Sequence, residues 1–268
     1  MKMPKAGCSS RIAVALLAVL AGGLLCMTGA QAQTNACGPI ANAYGPFDYR
    51  VYKGRVEIQR VEDFHFNAAA ENLIKPMGQF FGGDFDYTLR ASPNHHRALI
   101  SLTRYAERVK LPTLPGMFYP VECYFDRAIR FAPDDLVVRM IYAGYLGRQG
   151  RAAEAMAQLD YVVLNAGENA FTHYNAGLGY LELREFDKAL HQARTAAQLG
   201  LPRTELRDKL KAAGKWAEPA PSSASDVPVP VPDAAASSAK PASQGNVALP
   251  LSLIPAGGGR LRPALGRS

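Results

Sequence analysis

"RMIYAGYLGRQGRAAEAMAQL", residues 139–159, and "HYNAGLGYLELREFDKALHQA", residues 173–193, decide the fold. Offset by 34 positions, Ala143 meets Gly177, Leu146 meets Tyr180, Gly150 meets Arg184 and Ala155 meets Ala189. Small residues fall at the same places, and large apolar residues fill the places between. The same offset from Val162 and Gly167 leads back to Ala128 and Pro133, in "YFDRAIRFAPDD". Helical periodicity runs through Leu159, Val162 and Val163, and again through Tyr174, Leu178 and Leu181. Small residues let paired helices approach closely. Each hairpin then leaves an apolar face that only the next hairpin can bury.

A period of 34 with two helices per unit resembles the tetratricopeptide repeat (TPR) family. Ala143 and Gly177 fit its small residue in helix A, Ala155 and Ala189 its alanine in helix B, and Phe186 the aromatic before it. Ala128, Ile129 and Pro133 fit its closing pattern. The departures are Ala152 in place of the aromatic, Gly167 where proline is usual, and no early tryptophan. The resemblance covers 121–202. It implies a mainly α fold: about three helix hairpins and a capping helix over 93–216; the residues outside it read as a small irregular N-terminal arm and a disordered C-terminal tail. It also implies a concave groove lined by the A helices. Met140, Gly144, Gly147 and Arg148 would line it in one unit, and Tyr174, Leu178, Leu181 and Glu182 in the next. That surface is mainly apolar and suits an apolar helix or extended peptide. The alternative is that part of it packs on an inserted loop or on the arm.

Upstream, "HHRALISLTRYAERV" supplies the helix that pairs with "YFDRAIRF"; its apolar residues are Leu99, Leu102, Ala106 and Val109. "KLPTLPGMFYP" between them is an inserted loop. Downstream, "PRTELRDKLKAAGKW" has Pro202 in a first turn and a narrow stripe of Leu206 and Leu210, as a terminal capping helix requires.

"GGDFDYTLRASPNHHRAL", 82–99, has the residue types of an active site. Gly82 and Gly83 read as a turn, with Asp84 and Asp86 bonding local backbone. Ser92 reads as a helix cap, with Pro93 and His95 in the first turn. His95 then lies on the apolar stripe and His96 on a different face, so the two do not chelate one metal together. The positive helix end keeps either ring neutral. His95 packed in the core is one reading; His95 acting with Asp84 or Asp86, and Tyr87, is the other. "RVEIQRVEDFHF" reads as a short strand or extended arm, and "NAAAENLIK" as one short helix. The arm, 33–92, is not read as a repeat. Its pairing with the repeats, and "PNHHRAL", resemble exported bacterial TPR-containing proteins, a likeness that implies no particular chemistry.

Lys2, Lys5 and Arg11, an apolar run from Ile12 to Met27 and Ala30-Gln31-Ala32 make a secretory signal peptide over 1–32, cut after Ala32. The apolar run is short for an uncleaved span, and Leu25 is too bulky to precede a lipidated Cys26. The expected location is periplasmic or secreted, with no membrane span after cleavage. Removing three bases lowers the net charge from +7 to +4, and no basic stripe invites nucleic acid. Cys8 and Cys26 leave with the signal. Cys37 and Cys123 remain, and two cysteines in an exported chain point to a disulfide. Residues 217–268 hold nine prolines and no aromatics, the composition of a disordered tail.

Three functions fit: a protein or peptide binder using the groove, an enzyme or metal-binding protein using His95 with Asp84 and Asp86, or a structural subunit of an envelope complex. No Walker loop, GxSxG, HExxH or CxxC is present. No catalytic residue, metal or cofactor is therefore assigned.

Overall fold

The computed structural model describes residues 36–111 and 113–217. The expected signal peptide, and the expected tail from 218 onward, lie outside the described residues. The chain divides into two units, one ending at Pro39 and the other beginning at Ile40. The first is described only from Ala36 to Pro39, with Ala36 and Cys37 in a turn.

The described part of the second unit is mainly helical and contains no strand. Its helices are α1 (Tyr49–Tyr52), α2 (Val56–His65), α3 (Ala68–Glu71), α4 (Phe81–Ala91), α5 (His96–Val109), α6 (Val121–Phe131), α7 (Leu136–Arg148), α8 (Ala152–Leu164), α9 (Ala170–Glu182), α10 (Phe186–Gln198) and α11 (Glu205–Ala212). α7 packs on α8, α9 on α10, and α8 on α9, while α7 also touches α5 and α9. A single apolar core runs from Phe66 through Leu99, Tyr124, Leu146 and Tyr180 to Leu210.

The 34-residue offset holds at the level of whole helices. α9 begins and ends 34 positions after α7, and α10 does the same after α8. Asp135 and Asn169 cap α7 and α9, accepting from the N–H of Val137 and of Thr172. The two hairpins also turn alike. Gly150 has φ +77, and Arg184, its counterpart, has φ +64. Gly177 lets α9 approach its neighbours closely, because a Cβ there would come within 3.2 Å of Gln192 Cβ. Leu206 and Leu210 of α11 are buried, as a capping helix needs. Pro202 lies outside α11, which starts at Glu205 after Thr204.

Four expectations for the arm are corrected. "RVEIQRVEDFHF" is helix α2, with Ile58 and Val61 buried three apart on one face. "GGDFDYTL" is the body of α4 and not a turn. The arm thus carries four helices, not irregular chain. Its glycine pair serves a backbone contact: a Cβ on Gly82 would overlap the Pro115 carbonyl oxygen of the 110–120 loop. Lastly, Ser92 ends α4 and His95 caps α5, three places later than expected.

Candidate functional site

Gly144, Gly147 and Arg148 of α7 and Glu182 of α9 line one cavity of about 110 Å3, with Leu159 and Leu183 as its apolar floor. Gly147 lets the Leu183 side chain approach α7 closely, because a Cβ there would stand 2.9 Å from Leu183 Cδ2. Arg148 is oriented by α5, pairing with Glu107 and lying 3.4 Å from Thr103 Oγ1. Glu182 is exposed at the rim, where partial desolvation raises its carboxyl pKa against the opposing pull of Arg148 and Lys209.

The other four expected groove residues lie elsewhere. Met140, Tyr174 and Leu178 are buried, and Leu181 is half-buried against the core. Tyr174 is claimed by the last helix: its hydroxyl is 3.3 Å from Glu205, and the Arg203 guanidinium lies over its ring. The arm also takes up part of the α5 surface. Arg97 binds the Glu71 carboxylate, while Ser101 Oγ and Arg104 donate to the Glu71 carbonyl and Arg108 to the Leu73 carbonyl. The α5 end of the row is therefore covered by α3, and the α7–α9 segment is open.

The histidines belong to a buried polar junction where α1, α5 and α7 begin. Asp48, His95 and Asp135 are the three N-caps. Asn94 ties them together: it accepts from the Tyr49 N–H at 2.9 Å and donates to Asp48 and to Asp135, each at 2.8 Å. His95 Nδ1 accepts from the Ala98 N–H, so its proton sits on Nε2, which donates to Glu62 Oε1 at 3.0 Å. Burial holds the His95 pKa below its ordinary value, and the ring is neutral at pH 7. Burial works against the charge on Glu62, but His95 and Arg97 outweigh it and keep the carboxyl below its usual range. His96 does not face away from the core. It is buried, and its Nε2 donates to Asp135 Oδ2 at 2.8 Å.

Asp84 and Asp86 are committed elsewhere. Asp84 accepts from the N–H of Met77 and Gly78 at the start of α4. Asp86 pairs with Arg90 at 2.7 Å and accepts the Tyr124 hydroxyl. Tyr87 stacks on His65 at 3.8 Å between ring centres. His95 is thus joined to Glu62, not to either aspartate. Glu62 as the partner of His95, Asp135 as the partner of His96, and Asn94 as the link between the caps were not read from the sequence, although Asp135 after "APD" carries the ordinary signal of a helix cap. Among the described residues, no three His, Cys, Asp or Glu side chains are placed to hold a metal ion, and no helix is long and apolar enough to cross a membrane. Cys37 and Cys123 are disulfide-bonded.

No family model, no curated protein and no solved structure matches the chain.

Proposed function

We propose that the protein is an exported, TPR-like interaction module that takes a protein or peptide partner along the open faces of α7 and α9. The observation that carries this reading is the shared cavity. Gly144, Gly147, Arg148 and Glu182 come from two helices 34 positions apart, yet they line one surface. Gly144 is half-buried on this surface, and Leu183 packs beside Gly147. Arg148 and Glu182 offer one charge of each sign at the rim, suited to the two halves of a peptide unit or to a zwitterionic side-chain pair. The covered α5 end sets where a bound segment stops.

A photo-crosslinker placed at Glu182 tests this, with one at exposed Asp126 on α6 as control. A partner joined at 182 and absent at 126 supports the reading. Identical products at both positions, or none at either under conditions of native expression, refutes it.

A further inference from the structure

A second cleft lies away from α7 and α9, between α2, α4 and the chain before α1. It measures about 310 Å3 and is lined by Tyr44, Arg60, Val61, Phe64, His65 and Tyr87. That volume suits a ligand of one or two rings. Buried Val61 makes an apolar floor. The walls are flat and held in place: the Tyr44 hydroxyl donates to the Glu57 carbonyl at 3.2 Å, and His65 and Tyr87 stack with an interplanar angle of 24°. Phe64 is 67% exposed beside them, a large ring left in water.

Arg60 precedes Phe64 by one helical turn and is exposed. Its neighbours are engaged: Arg55 lies over Tyr52, Arg90 holds Asp86, and Arg97 holds Glu62 and Glu71. Arg60 has no carboxylate or ring partner among the described residues. A guanidinium presents a fork that matches one carboxylate through two parallel hydrogen bonds. Burial holds His65 below its ordinary pKa, so it adds no second positive charge at neutral pH. Asp84 Oδ1, 3.9 Å from His65 Nδ1, further disfavours a multiply charged anion.

We propose that this cleft binds an aromatic ring bearing a nearby carboxylate, with the ring between Phe64 and the His65–Tyr87 stack and the carboxylate on Arg60. The ligand comes from another molecule, because residues 218–268 contain no aromatic side chain. Free aromatic acids and the C-terminus of a peptide ending in phenylalanine share this chemistry. The inference is independent of the α7–α9 reading.

Titration of the mature chain with 4-hydroxyphenylacetate, followed by ligand-observed NMR, tests it. Parallel arms use the neutral amide of the same ring and an N-acetylated peptide ending in Phe. Saturable binding with Kd of about 1 mM or tighter is expected, weakened about tenfold by the amide or by Arg60→Met. Tighter binding of the peptide than of the acid supports the site and identifies a chain terminus as the source. Absence of saturation with both acid and peptide overturns the proposal, as does equal binding by an Arg60→Met variant with wild-type melting. Should that variant melt lower, the amide arm decides on wild type alone: an amide bound as tightly as the acid overturns it.

Discussion

Gly82→Ala should destabilise the protein by about 2–4 kcal/mol, while Gly83→Ala, one place along the same helix, should be neutral or slightly stabilising. Alanine is the better helix former, by up to about 1 kcal/mol over glycine, so propensity alone predicts a gain at both. Space separates them. A Cβ at Gly82 would overlap the Pro115 carbonyl oxygen, stand 3.1 Å from the carbonyl carbon and 2.7 Å from Met117 Cγ. A Cβ at Gly83 would find its nearest neighbour, the Gly116 oxygen, at an ordinary 3.8 Å. Backbone must therefore yield in the first case. The 110–120 loop is held by Leu114 and Met117, 2% and 8% exposed, and by Gly116 at φ +85. Dislodging both side chains costs at most about 3–6 kcal/mol at ~1.5–3 for each fully buried residue. The helix gain offsets at most about 1 kcal/mol of this. For a chain of this size the net loss lowers the melting temperature by roughly 5–15 °C. Thermal melts by far-ultraviolet circular dichroism give the answer. A Gly82→Ala variant that melts with wild type, or a Gly83→Ala variant equally damaged, refutes the assignment of the pair to a loop contact.

Four other outcomes follow from the same geometry. His95 has a folded pKa below its unfolded value of about 6.5, so its contribution is full above pH 6.5 and is lost as pH falls from there toward the folded pKa, with a slope of at most ~1.4 kcal/mol per pH unit. His95→Asn, which keeps a cap acceptor, should reduce the pH dependence of chemical-denaturation midpoints measured between pH 6.5 and 5; an unchanged slope contradicts the buried neutral ring. Asp135→Ala removes the α7 cap and strips His96 and Asn94 of their acceptor, which should cost about 2–5 kcal/mol in urea unfolding; a loss below about 1 kcal/mol would show the junction to be solvated. Arg184→Gly relieves a left-handed residue and should raise the unfolding free energy by about 0.5–1 kcal/mol, whereas a lower melting temperature would assign the arginine a contact. Thiol titration of denatured, unreduced residues 33–268 should find no free thiol, and Cys37→Ser should lower stability by roughly 4–5 kcal/mol through the 86-residue loop it opens; two free thiols per chain would end that reading.

What was legible in the sequence, and what was not, divides along spacing. α7 to α10 were readable because nothing interrupts the offset of 34, so small residues, caps and turns align. α4 escaped for a physical reason. "FDYTLRASPN" and "FDRAIRFAPD" correspond residue by residue, and α4 and α6 each run 11 residues to end 40 positions apart. The 110–120 loop lengthens the interval, and the glycines that receive that loop imitate a turn. The extra length and the disguise thus have one cause. Four of the groove residues were misplaced for a different reason: a family pattern says which helix face is inward, not whether a capping helix or an arm already occupies it. Tyr174 satisfies the pattern and is nonetheless covered from α11. The histidines failed because facing was judged from one helix alone. His96 lies where α7 begins, and Asp135 turns what reads as a surface position into an interior one. A polar residue on a helix of a stacked array has several neighbours to face, and its burial is decided by the caps of the next hairpin as much as by its own periodicity.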